Sequence, residues 1–339
     1  MPAELDAWLE QSKEDAIDPG LPICDPHHHL WDKPGDRYMI DEVTNDFATG
    51  HNVVQSLFVE VDSMYRASGP EEMRPVGEVE WARGIGAQSD SGLYGTTKVA
   101  AGIVAYANLN LGAAVRPVLE AMDSASSGRF RSVRHTCSWD AHEPLRSHRS
   151  GWPGMMAETN FLEGIGVLFS MGHAFDALVY HPQLFELAGL VDAFPNAVFV
   201  LNHIGRPLGV GPYAGHRDEI FEVWKKDMTE LAQRPNVVVK VGGLGNRVSG
   251  FEWDTQPAPP DSTELAGKTA PYYRHTIEAF GPERCMFESN FPVDKNSYTY
   301  TAVWNSFKRM TKDFTAAEKA WLFHDTAAKA YRLPLLAEQ

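Results

Sequence analysis

The chain has 339 residues, 43% apolar and 22% charged, with 30 Lys plus Arg against 45 Asp plus Glu for a formal charge of −15. That length and composition suit one large α/β domain or two average ones and need no staples to bury a core. The acidic balance argues against nucleic acid or an anionic membrane as partner, since both require a basic face.

The three cysteines, Cys24, Cys137 and Cys285, are widely spaced and odd in number, so they suggest no disulfide framework. The opening stretch "MPAELDAWLEQSKEDAIDPG" is acidic and lacks the apolar core of a signal peptide. No apolar run approaches the roughly 20 residues of a membrane helix. A reducing, cytoplasmic setting is expected. Residues 1–20 read as an N-terminal extension and 21–335 as one domain.

In chain order, short apolar runs recur with helix-like segments between them. Strands are predicted at 21–30, 53–61, 99–109, 130–137, 175–181, 197–205, 237–244 and 284–292, and helices at 70–87, 112–125, 183–194, 217–234 and 267–280. Near-continuous apolar strands fit a parallel sheet covered on both faces. Eight of them alternating with helices predict a (β/α)8 TIM barrel, with a doubly wound open sheet as competitor. No strand is followed by a phosphate-binding glycine loop; "GVGPYAG" at 209–215 lacks the spacing. The segments 146–156 and 254–262 read as extended loops after the fourth and seventh strands. The second, rich in proline, is expected to lie over the mouth.

A barrel gathers the polar residues at its strand ends into one mouth. The first strand ends in "CDPHHHLW", residues 24–31. Alternation points His27 and His29 inward with Asp25 and turns His28 away. Two imidazoles so placed can chelate one ion, whereas an isolated triple histidine is as often a surface cluster. The sixth strand ends in "LNHIGRP" and places His203 with Phe199 and Leu201 on one face. Glu60 ends the second strand, and Glu288 lies in the eighth on the face of Asn290. Each glutamate is either a base or a buried partner of an Arg or Lys. Arg134, Lys240 and Arg206 are candidates to hold an anionic substrate or an internal carboxylate. His181 ends the fifth strand, and Asp294 reads as a loop cap.

Together "CDPHHHLW", "FVLNHIGRP", "VVVKVGGL" and "MFESNFPVD" resemble four landmarks of the amidohydrolase superfamily. The nearest branch holds pyrone-dicarboxylate lactonase and sugar-lactone and muconolactone hydrolases. The resemblance runs from about residue 21 to "TAAKAYRL" at 326–333. It implies metal ligation by His27, His29 and His203, with His181 as a further ligand position, and Zn or Mn as the divalent ion, Fe being the alternative. Its strand-8 aspartate, which orients and deprotonates water, falls on Asn290. An amide can position water but cannot take a proton. The expected activity is metal-assisted hydrolysis of a small cyclic ester or amide bearing a polar or carboxylate group. Glu288 or Glu60 would act as base and Arg134, Lys240 and Arg206 would bind substrate. A decarboxylase, an Fe/Mn oxygenase and a non-catalytic ligand-binding barrel are the alternatives, and a homo-oligomer is compatible with all of them.

Overall fold

A computed structural model describes residues 3–335. After a short helix α1 (Ala3–Leu9) the chain enters β1 (Pro22–His28), a small antiparallel hairpin of β2 (Trp31–Lys33) and β3 (Asp36–Tyr38), and α2 (Ile40–Phe47). Strand and helix then alternate: β4 (Asn52–Val59), α3 (Val76–Asp90), β5 (Lys98–Ala105), α4 (Arg116–Ser126), β6 (Phe130–Thr136), α5 (Thr159–Ser170), β7 (Ala174–Leu178) and α6 (Leu184–Ala193). They continue with β8 (Phe199–Leu201), α7 (Arg217–Leu231), β9 (Val237–Val241), α8 (Ser262–Phe280), β10 (Cys285–Phe287), α9 (Tyr300–Met310), α10 (Ala316–Ala320) and α11 (Thr326–Ala330).

Eight strands form one parallel sheet in the order β1-β4-β5-β6-β7-β8-β9-β10. The ring closes where a parallel bridge joins His28 to Phe291, Asn290 N–H donates to His27 O at 2.9 Å and His29 N–H to Phe291 O at 2.7 Å. The fold is therefore a (β/α)8 barrel. Closure happens between the triple histidine and "SNF", which sets the two chain-distant motifs side by side.

The observed strands begin within two residues of their predicted starts and stop one to five residues short of the predicted ends. The apolar character continues because the segments past the strand ends stay buried at the mouth. The helix expected from Pro70 is a single turn, Glu71–Met73. α3 proper starts at Val76, behind a second proline, Pro75. The main core lies between sheet and helices, where Phe175, Phe199, Leu201 and Phe287 face outward under the helical ring. A smaller apolar layer of Cys24, Leu57, Val104, Val200 and Met286 fills the barrel beneath the mouth, sealed by Tyr331 and Leu333 after α11.

The N-terminal stretch is tied to the segment after β9. Trp8 Nε1 donates to Gln256 O at 3.0 Å, and Glu14 accepts from Ser262 N at 2.6 Å and from Asn305 Nδ2 at 3.0 Å. Among the described residues no helix is long and apolar enough to cross a membrane.

Candidate metal centre and mouth of the barrel

Three side chains converge at the closure seam. His27, His203 and Glu288 are fully buried, and one ligand atom from each lies within 4.8 Å of the others. Glu288 Oε1 accepts from His203 Nδ1 at 2.7 Å and from the His203 backbone N–H at 3.2 Å. Its Oε2 lies 2.7 Å from His27 Nδ1 but without hydrogen-bond geometry, so that oxygen, like His203 Nε2, has no hydrogen-bond partner.

Local backbone features aim these groups. A register shift between Asp25 and His28 breaks the alternation of β1. His27 and His29 face the mouth, with ring centroids 5.0 Å apart. His28 turns outward, bonding Ser56 Oγ at 2.9 Å between Phe47 and Phe58. The same shift corrects the placement of Asp25. Its carboxylate leaves the His27 face and accepts from Ser289 N at 3.1 Å, His27 N at 3.3 Å and Tyr300 OH at 3.1 Å, which pins the seam.

Strict alternation along β8 would send His203 outward with Phe199 and Leu201. Instead His203, Ile204, Gly205 and Arg206 all take positive φ, at 54°, 50°, 73° and 41°. This left-handed turn swings the imidazole inward, at roughly 1–2 kcal/mol for each non-glycine residue. Two glycines make the room: a Cβ on Gly243 would lie 2.3 Å from His203 Nδ1, and one on Gly242 2.5 Å from Glu288 Cγ. The "GG" after β9 is thus a sequence signal for the ring and carboxylate beside it.

Of the other predicted ligands, His29 donates through Nδ1 to Val59 O, 2.8 Å away. Since a carbonyl only accepts, Nδ1 carries the proton and Nε2 keeps its lone pair. His29 lies beside the converging set without belonging to it. His181 is apart from it, because β7 ends at Leu178 and the next residues turn away. Its Nδ1 accepts from Leu208 N at 3.3 Å and its ring packs against Tyr213.

The remaining candidates have protein partners. Arg134 Nε donates to Glu60 Oε1 at 2.6 Å and Nη2 to Glu60 O at 2.8 Å, while Nη1 reaches His27 Nε2 at 3.3 Å. The second Glu60 oxygen is taken by Arg149 Nη1 at 2.7 Å. With both oxygens held by guanidiniums, Glu60 takes the second of its two expected roles, the buried partner of an arginine. Lys240 is fully buried, 2.9 Å from Asp176 Oδ2 and 3.4 Å from His27 Nδ1. Of its two expected partners, substrate anion or internal carboxylate, the structure gives it the internal one. Asp176 also accepts from Ser132, Asn202 and Tyr331. Asn290 Nδ2 donates to Asp294 Oδ1 at 2.7 Å, leaving Asn290 Oδ1 buried and unpartnered. Asp294 Oδ2 accepts from Gly245 N and Tyr298 OH, so it is a buried acceptor joining two loops and not the loop cap expected of it.

Arg149 and Asp176 are site residues that sequence reasoning did not single out. Arg149 sits on the segment between β6 and α5, pairs with Asp62 and Tyr65 as well as Glu60, and lies 3.9 Å above the Tyr106 ring. It straps that segment over the mouth. Asp176 could have been found as an acid in the middle of a buried strand facing a mid-strand lysine.

Charge accounting shows what is left over. Glu60 offsets Arg134 and Asp176 offsets Lys240, so Glu288 touches only imidazoles, while the charges of Lys240 and Arg206 act on it from further off. Burial pushes its carboxyl up to about 8, with Lys240 opposing. Burial, then the Lys240 charge, pushes His27 well down, and burial followed by Arg206 does the same to His203. Neutral imidazoles beside a carboxylate with a spare oxygen, with orphaned polar atoms in a fully buried site, suit a divalent cation, which would hold Glu288 ionised.

Comparison with known proteins agrees. The chain is 31% identical over 335 residues, 92% of its length and 99% of the relative's, to an uncharacterised protein of Sinorhizobium fredii. It is 29% identical over 185 residues to the L-fucono-1,5-lactonase of Burkholderia multivorans, spanning 52% of this chain and 57% of that one. Its fold superimposes with a TM-score of 0.70 on an amidohydrolase from Burkholderia multivorans solved with bound zinc, at 21% identity over 92% of this chain and 99% of the other. The amidohydrolase family model matches residues 24–333. With the barrel and the converging His and Glu side chains, that match establishes that the chain is a hydrolase belonging to the amidohydrolase family.

Proposed function

We propose that this enzyme opens a small lactone with the help of a divalent ion, Zn or Mn, held by His27 and His203 with His29 alongside, while Glu288 faces the ion as the base. The observation that carries the reading is the convergence of two imidazoles and a carboxylate with unpartnered atoms at the barrel seam. The lactonase relative supports the choice of a cyclic ester over an amide. When bound, the ion polarises the ester carbonyl and lowers the pKa of attacking water toward ~7.

The chain's own residues do the rest. Asn290 Oδ1, buried and free, accepts a hydrogen bond from the water and fixes its direction. Glu288 Oε2 receives the proton that Asn290 cannot take. The Asp176–Lys240 pair beneath His27 holds the floor rigid, and the Arg149 strap excludes bulk solvent. The substrate is a small molecule, since everything reactive is buried.

Elemental analysis of the purified protein and a lactone panel followed with a pH indicator test this reading. Wild type should carry about one ion and open at least one lactone. His27→Ala with His203→Ala should lose the ion and abolish turnover, and Glu288→Gln should lower kcat by about 10²–10⁴-fold. Undiminished turnover in the double variant would refute it.

One observation favours a second reading. Asn290, with its amide committed to Asp294, removes the usual water-deprotonating group, which a decarboxylase or an Fe/Mn oxygenase does not need. Iron in the purified protein together with no turnover on the lactone panel would select it.

A further inference from the structure

The side-chain amide of Asn290 has two chemically opposite ends. Its oxygen accepts a hydrogen bond, and its NH2 group only donates. Which end is left for a reactant depends on what holds the other, and the group that holds it is Asp294.

Asp294 is fully buried in the turn after β10, and main chain and side chain both tie it to Asn290. Asp294 N–H donates to Asn290 O at 3.0 Å, and Asn290 Nδ2 donates to Asp294 Oδ1 at 2.7 Å. The Asn290 backbone is fixed as well, with a left-handed φ of 56° and its N–H given to His27 O at 2.9 Å across the seam. On its far side, Asp294 Oδ2 accepts from Gly245 N–H at 3.0 Å and from Tyr298 OH at 2.7 Å. The space for this carboxylate is built into the chain: a Cβ on Gly245 would lie 2.6 Å from the Tyr298 hydroxyl and 2.8 Å from Asp294 Cγ.

Burial lifts the Asp294 carboxyl to about 7, against the pull of its Tyr298 and Asn290 hydrogen bonds. Above that pH it is an anion that only accepts, and it admits one orientation of the neighbouring amide. With the amide reversed, two oxygens would face each other in the interior and the NH2 group would lose its acceptor, each at a desolvation cost. The NH2 end therefore goes to Asp294. The oxygen end stays buried without a protein partner.

We infer that Asp294 is a positioning residue, locking the Asn290 amide so that its oxygen, and not its NH2 group, faces the reacting water; this rests on the hydrolytic reading above and deepens it. The acidic group absent at position 290 thus stands four residues on, where it acts through the amide and not on the water.

Isosteric variants test this. In Asp294→Asn, Gly245 N–H still needs an acceptor, so the new amide turns its oxygen to Gly245 and its NH2 to Asn290. Asn290 must then reverse and aim its own NH2 at the water. Adding Asn290→Asp should cure the defect, because a carboxylate has no donating end. Neutron diffraction from deuterated crystals of the metal-loaded protein, grown above pH 8, reads the orientation directly. Steady-state kinetics on the lactone that wild type opens best read its consequence. Wild type should show the Asn290 amide deuterons against Asp294, and Asp294→Asn should show them on the opposite side. That variant should lose roughly 10–100-fold in kcat with KM within about 2-fold, and the double variant should regain most of the loss. A merely structural role for Asp294 predicts no such recovery.

Amide deuterons turned away from Asp294 in wild type would overturn the inference. So would an unreversed amide or a wild-type kcat in Asp294→Asn, or a double variant no faster than the single one. If wild type opens no lactone, the hydrolytic reading falls by itself, and the neutron maps still decide the orientation. Should Asp294→Asn not fold, the wild-type map and the kcat of the double variant carry the decision.

Discussion

Two buried glutamates stand at the mouth, just past the strands on either side of β1, and they have opposite chemistry. Glu60, at the end of β4, has every oxygen lone pair of consequence claimed by Arg134 and Arg149. Glu288, just past β10, is held by imidazoles and keeps one oxygen unbonded. Burial is equal on both sides, so burial does not mark the reactive carboxylate. The difference is the company: a guanidinium clamp makes a structural anion, while neutral rings leave a carboxyl poised to bind a cation or a proton.

The largest effect that could break this comparison is in stability. Arg134→Gln would strand Glu60 Oε1 in the interior, at a cost of about 3–5 kcal/mol, and adding Glu60→Gln should recover most of it. Glu288→Gln should cost less than about 1 kcal/mol in chelator-treated protein, since burial already favours the neutral carboxyl there. Urea unfolding of wild type, these three variants and Glu60→Gln alone measures this. Equal costs for Glu60→Gln and Glu288→Gln would erase the distinction between the two sides.

The split between the two sides also marks where sequence reading succeeds. The barrel was legible because parallel strands buried on both faces write themselves as apolar runs, and Val237–Val241 is recovered to within three residues of its predicted end. His27 and Glu288 were legible as chemistry-bearing residues at strand ends. What period-2 reasoning could not supply was orientation where the backbone leaves the period. The bulge in β1 turns Asp25 out of the site, and the left-handed turn after β8 brings His203 in. Arg149 was illegible for a different reason. It sits in a long aperiodic segment whose position is set by a tertiary ion pair with Glu60, and no local pattern encodes that.

That strap supplies a smaller test. Arg149 joins the β6–α5 segment to Glu60, Asp62 and Tyr65, and its guanidinium stacks on Tyr106. Arg149→Gln should release the segment locally, by about 2 kcal/mol, and speed protease cleavage between residues 141 and 154 by roughly 10-fold or more while the rest of the barrel stays protected. Cleavage at the wild-type rate would mean that the segment is held by its own packing instead.

The smallest effect lies behind Glu60. Glu78 on α3 accepts Val61 N–H at 2.9 Å and Ser63 N–H at 2.8 Å through Oε1, holding the segment that carries Asp62, while its Oε2 is buried without a partner. Burial first, then the Glu60 charge, raises its carboxyl to about 8. A folded-state pKa raised above the unfolded one contributes stability that is present at low pH and lost as pH climbs toward the folded value. Histidines, ordinarily near 6.5 in the unfolded chain, are neutral in both states above pH 7. Glu288 and Lys308, both brought to about 8, are common to wild type and variant, so the comparison with Glu78→Gln from pH 7 to 8 isolates this carboxyl. Wild type should lose about 1 kcal/mol there on account of Glu78. Glu78→Gln keeps the accepting Oε1 and has no proton to lose, so its stability should fall less steeply over that interval in denaturant titrations at pH 7.0, 7.5 and 8.0. An identical slope would place the ionised Glu78 within reach of the Arg134–Arg149 clamp, and the clamp would then neutralise two carboxylates rather than one.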